Sequence, residues 1–259
     1  MTPIMPARRA RRRRIWAVAA TAAALAIAAA GGFAGWKSSH SPSPAGAAGS
    51  RHLVAHRSLP PPLPAPVPPG TPQIPQVKLT GLRWASFHGV ELPVSPAAGP
   101  HDMRNGLASG FTDTPLGALL AALNIGVRAN AQWGPDVFGP TIRDQVTGPD
   151  APALRAACQT AYDQARPAAG VQPGRSLGRT YVSEEAFRWE GYTPASATVD
   201  IVSAGPGGQN LTVRAATRIE VQWRRGDWRV VAPPGGDWGN SATQITSLDD
   251  YTHLPGPPA

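Results

Sequence analysis

The stretch Leu211–Val231, LTVRAATRIEVQWRRGDWRVV, decides the fold class. Apolar and polar side chains alternate as far as Trp223, which is the period of a β-strand with one buried face. The residues assigned to that face are Leu211, Val213, Ala215, Thr217, Ile219, Val221 and Trp223. Arg225-Gly226-Asp227 then turns the chain into a second strand through Trp228, Val230 and Ala232. We therefore expect an antiparallel sheet with Trp223 inward, Arg224 outward and one solvated face.

The same period of two occurs in three earlier segments. Residues 181–192 put Phe187 and Trp189 on one face together with Tyr181. Residues 197–202 do the same for three further side chains, Ala197, Val199 and Ile201. Residues 79–95 predict two short strands or one bent strand, with Gly89 at or near a turn.

Between these strands the period changes to that of helices. Thr114 is a predicted N-cap followed by Pro115 at the first helical position. One apolar stripe follows, made of Leu116, Leu119, Leu120, Leu123 and Val127, and Gly117 beside it permits close backbone approach. We expect another helix from Asp150 to about Arg166, on whose inner face Cys158 is a small buried hydrophobe.

Proline and glycine mark the predicted helix boundaries. Pro167 and Gly170 are expected to end the helix that begins at Asp150. Gly134-Pro135 and Gly139-Pro140 are expected to break the preceding segment, leaving one or two helical turns over Thr141–Val146. The predicted fold class is α+β, with helices packed on a curved antiparallel sheet over residues 79–252.

The N-terminal region predicts a membrane anchor. Residues 15–36 form an uncharged, alanine-rich stretch that is long enough to span a bilayer as a helix. Six arginines lie in residues 1–14, whereas a single Lys37 follows the stretch. Because basic residues favour the cytoplasmic side, we expect a single-pass protein with a cytoplasmic N-terminus and an extracellular C-terminal domain.

A cleaved export signal is the alternative for residues 15–36. Alanine is only weakly hydrophobic, Ala26-Ile27-Ala28 resembles a cleavage site, and Arg13-Arg14 permits a weak twin-arginine interpretation. We favour the anchor because the apolar run exceeds the usual ~7–15 residues of a signal core. Both alternatives export the rest of the chain.

The segments flanking the folded domain are expected to lack regular structure. Residues 37–78 predict a disordered linker, in which Pro60–Pro69 forms a semi-rigid polyproline II rod of roughly 30 Å. We interpret this linker as a spacer across the cell wall, with a ligand for a proline-binding partner as the alternative. Residues 253–259 are expected to form a flexible tail.

Charge and motifs argue against several classes of function. The six arginines account for most of the formal charge of +8, so we expect no direct binding of nucleic acid. We find no nucleophile elbow, Walker loop, zinc-protease motif, C-x-x-C or dinucleotide-binding motif. Accordingly we predict no catalytic residue, no cofactor, no metal ligand and no small-molecule substrate.

Individual polar residues have structural interpretations. His88 and His101 are too few for a metal site without carboxylates. Glu184 and Glu185 are adjacent on a strand and should point to opposite faces, so they cannot form a catalytic pair. Asp237-Trp238 lies in a glycine-rich turn, where Asp usually binds nearby backbone. GPGGQN, from Gly205, is expected to be a hairpin loop.

Helices followed by a sheet that ends in VQWRRGDWRVV resemble the nuclear transport factor 2-like α+β cone. In that superfamily a late hairpin carries a W-x-x-G-x-W-like turn, matched here by Trp223, Gly226, Asp227 and Trp228. Together with the anchor, the chain resembles bitopic scaffold proteins of conjugative type IV secretion machines. GFTDTPLGALLAALN and VVAPPGGDWGN are also similar to segments of uncharacterised actinobacterial proteins associated with integrative conjugative elements.

The resemblance implies a scaffold subunit of a conjugative transfer complex. Its expected partners are the bilayer and other complex subunits or further copies of itself. Two alternatives stay open: an envelope domain that binds a ligand or senses envelope state, and an isomerase- or hydrolase-type enzyme of the superfamily. An enzyme needs an ionisable group inside the cone, and the inner face of Leu211–Trp223 supplies none.

Overall fold

The computed structural model describes residues 72–178, 182–207 and 211–257, in which helices precede a mostly antiparallel sheet. The helices are α1 (Pro115–Arg128), α2 (Pro135–Gln145) and α3 (Ala151–Ala169). The strands are β1 (Arg83–Phe87), β2 (Val90–Val94), β3 (Val146–Thr147), β4 (Ser183–Tyr192), β5 (Ser196–Pro206), β6 (Thr212–Arg224), β7 (Asp227–Val231), β8 (Ala242–Ile245) and β9 (Thr252–His253). The predicted α+β class is thus confirmed.

The main sheet has the order β3-β7-β6-β5-β4-β9, with β8 pairing with β6 beside β7. Among the strands of the described residues, only β3 is parallel to its neighbour, β7. The long strands β4, β5 and β6 form an antiparallel meander whose connections run between sequential neighbours. β1 and β2 form a separate hairpin, so the segment expected as two strands or one bent strand is two strands.

Both tight hairpins require backbone conformations with positive φ. His88 and Gly89 connect β1 to β2 with φ of 51° and 93°, and Arg225 and Gly226 connect β6 to β7 with φ of 56° and 78°. Such two-residue turns match the right-handed twist of the paired strands. The turns predicted at Gly89 and at Arg225-Gly226-Asp227 are therefore confirmed.

The alternation predicted for β6 holds over its centre. Thr217, Ile219 and Val221 are buried, whereas Arg218 and Glu220 are exposed. The two ends of the segment differ from the prediction. At the first end Leu211 is 64% exposed, and the first fully buried residue of β6 is Ala215. At the second end Trp223 is half-buried against the main core.

The second face of the sheet is not uniformly solvated, which corrects the expectation of one wet face. Ala186, Val202 and Ala216 lie side by side on that face and are buried. They are covered by three partly buried side chains near the C-terminus, Ile245, Leu248 and Tyr251. Sequence alternation missed this because alanine on an outer face is equally compatible with exposure and with a close cover.

α1 forms the centre of the core. Thr114 accepts a hydrogen bond from the Gly117 N–H at 3.1 Å, which confirms the predicted N-cap. Every residue from Gly117 to Arg128 is buried, so the helix is enclosed on all sides and not only along its leucine stripe. A Cβ at Gly117 would overlap the carbonyl oxygen of Thr112, which confirms the predicted close approach.

The breaks predicted at Pro140 and Pro167 are wrong, whereas the predicted end of α3 at Gly170 is confirmed. α2 begins at Pro135 and continues through Pro140, and α3 continues through Pro167 to Ala169 before Gly170 ends it with φ of 66°. Phe138 and Ile142 bury on either side of Pro140, so tertiary packing compensates for the lost backbone hydrogen bond.

The ends of the domain are tied to β4. Gln73 pairs with Tyr192, and at the other end of the strand His253 pairs with Ala186 while Leu254 is buried in the core. The chain expected to be a flexible tail from residue 253 therefore begins inside β9. The described ranges contain no helix that is both long and apolar enough to cross a bilayer. The predicted cytoplasmic tail and anchor, and the linker up to residue 71, lie outside the described residues.

Candidate functional site

An aromatic row crosses one end of the sheet. Four rings contribute in turn: Trp189, Tyr192, Trp228 and Trp223. Successive ring centroids are separated by 6.2, 6.2 and 5.4 Å. Trp228 is fully buried and is flanked by half-buried Tyr192 and half-buried Trp223. Such rings combine large apolar area with an accessible edge, a combination typical of binding surfaces.

Trp223 lies at the wall of an open recess of about 440 Å³. The other lining residues are Ala195, Ser196, Gln222 and Arg224. The Trp223 N–H donates to the Ala195 carbonyl at 2.9 Å, which holds the β4–β5 turn against the end of β6. Arg224 donates to the Gln222 side chain at 2.9 Å, so the rim is polar and ordered. We define these five residues as the Trp223 recess.

The hairpin motif behind the recess has a structural role. The Asp227 carboxylate accepts hydrogen bonds from the N–H groups of Gly110 and Phe111 at 2.9 and 3.0 Å. Trp228 donates its indole N–H to the Thr112 carbonyl at 2.9 Å. Asp227 and Trp228 therefore hold the loop before α1 against the sheet, which explains why Asp and Trp occupy this turn.

A buried carboxyl group lies on the helix-facing side of the sheet. Glu184 is only 6% exposed, and its carboxylate accepts a short hydrogen bond from the Ser203 hydroxyl directly opposite on β5. Burial raises the pKa of Glu184 to about 7, and the Ser203 hydrogen bond only partly opposes that shift. This carboxyl group can therefore exchange a proton near neutral pH.

Thr217 of β6 adds a third polar side chain beside the Glu184–Ser203 pair. Ser203 pairs with Ala215, so Thr217 lies diagonally opposite Ser203 on the same face. Its hydroxyl oxygen is fully buried and has no hydrogen-bond partner among the described residues. An unpaired buried hydroxyl costs about 1–3 kcal/mol, so this end of the inner face is polar at a cost to stability.

Glu184 supplies an ionisable group on the inner face from a strand other than β6. The inner face of Leu211–Trp223 carries none, as predicted, whereas Glu184 enters from β4, next to a bulge between Glu184 and Ala186. Glu185 pairs with Arg214 at 2.6 Å, with Arg214 on the other face. The two glutamates therefore do point to opposite faces, as predicted, and no second carboxylate joins Glu184 from its neighbour.

Charged side chains on the outer face neutralise one another. The Asp200 carboxylate accepts from Arg188 at 2.8 Å and from Arg218 at 2.9 Å, and Glu190 contacts both arginines at 3.0 and 3.1 Å. Burial acts to raise the pKa of Asp200, but the two arginines outweigh it and the net shift is downward. The charges of Arg188 and Arg218 are therefore neutralised by neighbouring carboxylates.

A second buried charge, Arg128, has a structural explanation. Its guanidinium donates to the Gly106 carbonyl, the Asn124 carbonyl and the Asn124 side chain at 2.8–3.1 Å, and it stacks 4.2 Å from the centre of the Phe87 ring. Burial lowers the pKa of Arg128 to about 10. These contacts join β1, the 104–106 turn and α1.

The remaining residues considered from the sequence are dispersed. His88 stacks on Trp133 at 5.3 Å, His101 is exposed elsewhere, and the described ranges contain no group of three or more side chains suited to a metal ion. Asp237 accepts from the Gly239 N–H at 2.8 Å, which confirms its predicted backbone role. Cys158 is buried, as expected, and burial raises the pKa of its thiol to about 12.

Comparison with known proteins gives one family. No curated protein and no solved structure matches the chain. A family model described as a domain of unknown function, DUF8175, matches residues 54–253, which covers most of the chain and the whole of the α+β domain up to β9. The protein therefore belongs to the DUF8175 family.

Proposed function

We propose that this protein is a membrane-anchored scaffold subunit of a conjugative transfer or secretion complex, and that its extracytoplasmic domain acts by binding other proteins. The observation that carries the proposal is the Trp223 recess. Tryptophan and arginine are the residue types most enriched where protein interfaces gain their affinity, and here Trp223 and Arg224 line one ordered depression.

The sequence outside the described residues supports the tethered part of the proposal. Residues 15–36 supply an expected anchor, with the arginines of residues 1–14 on its cytoplasmic side. The linker then separates the anchor from the domain by a segment of small and polar residues and a proline-rich one. Tethering raises the effective concentration of the domain near an envelope complex, so weak contacts at the recess suffice.

We propose further that the fold is a nuclear transport factor 2-like cone. Three features support this assignment: helices that come before the long strands, the meander β4-β5-β6, and the tryptophan-bearing hairpin β6–β7. The bulges in β4 at Glu184/Ala186 and Trp189/Gly191 supply curvature of the kind that a cone needs. An experimental structure superposed on members of that superfamily tests the assignment.

The charge distribution favours protein partners over nucleic acid. Arg188, Arg214 and Arg218 all lie on the outer face of the sheet, and each is paired with a carboxylate. A nucleic-acid surface needs cations that are available to phosphates. We therefore expect no direct contact with DNA, and we assign the binding role to the recess at the end of the sheet.

The test is site-specific photo-crosslinking of the full chain in cells of the source organism. A photoreactive residue replaces Ala195 in the recess, and the matched control carries it at Gln244, which is exposed on β8 and pairs with Ala215, eight residues from Trp223 along β6. We expect an adduct with an envelope subunit of the transfer apparatus, identified by peptide mass, from Ala195 and not from Gln244. Equal labelling from both positions, or no protein adduct from Ala195, contradicts the proposal and favours a ligand-binding or sensing domain.

Acid–base catalysis is the second candidate function, and Glu184 is the observation that favours it. A carboxyl group with a pKa of about 7 beside a hydroxyl is suited to proton transfer near neutral pH. The Glu184→Gln variant distinguishes the two functions, because the amide keeps the shape but cannot transfer the proton. If the protein is a scaffold, the Glu184→Gln variant should still support DNA transfer. If it is an enzyme that depends on Glu184, the variant should lose its support of DNA transfer.

A further inference from the structure

The chain enters the described domain beside the aromatic row. Gln73 and Tyr192 exchange two backbone hydrogen bonds of 3.0 and 2.8 Å, which fixes the entering segment along the edge of β4. Pro72 lies against Gly191, where a Cβ would approach its ring carbon at 3.0 Å. The chain before Pro72 therefore joins the domain next to Tyr192. Tyr192 and Trp223 are the two half-buried rings of the aromatic row.

The Trp223 recess lies a short distance from this entry point. Tyr192 is on β4, Ala197 opposite it is on β5, and Val221, opposite Ala197, is on β6 with Trp223 two residues further. Three strand spacings of about 4.8 Å separate Gln73 from β6, so the entry point and Trp223 are roughly 16 Å apart. The inner face between them is closed, because Ala197, Val221 and Trp228 are buried, whereas the surface around the β4–β5 turn is open and its Ala195 and Ser196 line the recess.

The sequence preceding the entry point has the chemistry that such a surface binds. Residues 60–69, PPPLPAPVPP, contain Pro61-x-x-Pro64 and Pro66-x-x-Pro69 and carry no charge. Proline-rich chains of this pattern bind aromatic-lined grooves, since the extended conformation is preformed and little entropy is lost. At about 3.1 Å per residue, roughly five residues cover the distance from the entry point to Trp223.

We propose that residues 60–69 bind the Trp223 recess of the same chain, so that the linker covers the recess until a partner displaces it. This deepens the proposed function, because the covered surface is the one proposed to bind partners. The connection favours the chain's own segment over a second copy: only Gly70 and Thr71 lie between this segment and the described domain, which begins at Pro72, and so short a tether gives an effective concentration of about millimolar order. The linker is then a regulator of the domain as well as a spacer.

Disulfide trapping in the purified full chain in detergent tests the proposal without any transfer partner. One cysteine replaces Leu63, Ala65 or Val67 in turn, and a second replaces Ala195 in the recess. The matched control pairs each linker cysteine with one at Gln244, which is exposed on β8 and pairs with Ala215, eight residues from Trp223 along β6. Cys158 does not compete, because it is buried. Two cysteines bridge only when their Cα atoms approach to about 4.4–6.8 Å.

We expect at least one linker position to form an intramolecular disulfide with position 195 at least about tenfold faster than with position 244, independently of protein concentration. Replacing the prolines of residues 60–69 by Gly and Ser at constant length should reduce the rate to the control value. That variant changes no residue of the described domain, so it tests the contact without altering the recess. Equal rates at positions 195 and 244, persistence after proline replacement, or bridges only between chains would each overturn the proposal.

Discussion

Glu184 is the residue whose environment departs furthest from its ordinary chemistry. Its folded-state pKa is about 7, against an ordinary value of 4.5. Between these values the folded state holds a proton that the unfolded state has lost. Its contribution to stability is therefore fully present below about pH 4.5 and is lost as the pH rises through about 7. The domain should be less stable at pH 8 than at pH 5 for this reason.

Replacing Glu184 by Gln should remove that dependence. The amide keeps an acceptor for the Ser203 hydroxyl and carries no charge to bury. The variant should match the wild type at pH 5 and exceed it at pH 8 by up to about 3 kcal/mol, as measured by denaturant unfolding at the two pH values. Glu185→Gln is the control, because its partly exposed ion pair with Arg214 is worth less than about 1 kcal/mol. Identical pH profiles for wild type and Glu184→Gln would show that the carboxyl group is hydrated in solution.

At the scale of elements, two helical glycines should respond differently to alanine. A Cβ at Gly117 of α1 would overlap the Thr112 carbonyl oxygen, whereas a Cβ at Gly139 of α2 would meet no atom within 4 Å beyond its chain neighbours and the adjacent helix backbone. Helix propensity favours alanine at both positions by about 1 kcal/mol, but Gly139 precedes Pro140, and a Cβ before a proline disfavours helical backbone. We expect Gly139→Ala to leave the melting temperature nearly unchanged and Gly117→Ala to lower it. A rise with Gly117→Ala would mean that the 112–117 turn is looser than the structure shows.

The elements also show how far the sequence could predict the fold. The cap of α1 is local, so Thr114-Pro115 identified it, and the alternation of β6 identified its buried centre. Pro140 and Pro167 were misread because their intrinsic penalty is overridden by packing contributed from distant residues. The Glu184–Ser203 pair could not be predicted either: alternation separates Glu184 from Glu185, but the depth of Glu184 depends on the pairing of β4 with β5.

The aromatic row shows the same limit at the candidate site. Trp223 and Trp228 were recognisable as a hairpin pair, since only four residues separate them around a turn. Tyr192 joins them only through the pairing of β4, β5 and β6, and Ala195 reaches Trp223 through a backbone hydrogen bond between turns. No local sequence pattern predicts the recess or its closeness to the linker.

At the scale of the whole molecule, the proposed scaffold function requires the folded domain to lie outside the cell. The arginines precede the predicted anchor, so the N-terminus should stay in the cytoplasm and residues 79–252 should be extracellular. Protease treatment of intact protoplasts should therefore digest the domain together with an external control protein. Survival of the domain while the external control is digested would reverse the orientation.

The central claim is that the domain serves a transfer complex by binding, and DNA transfer by mating in a deletion strain tests it most directly. We expect loss of the protein to reduce transfer and the full chain to restore it. Glu184→Gln and a chain with Gly/Ser in place of the prolines of residues 60–69 should also restore transfer. Trp223→Ala, or a released domain without residues 1–71, should fail to do so. A deletion strain that transfers DNA at the wild-type rate would contradict the account.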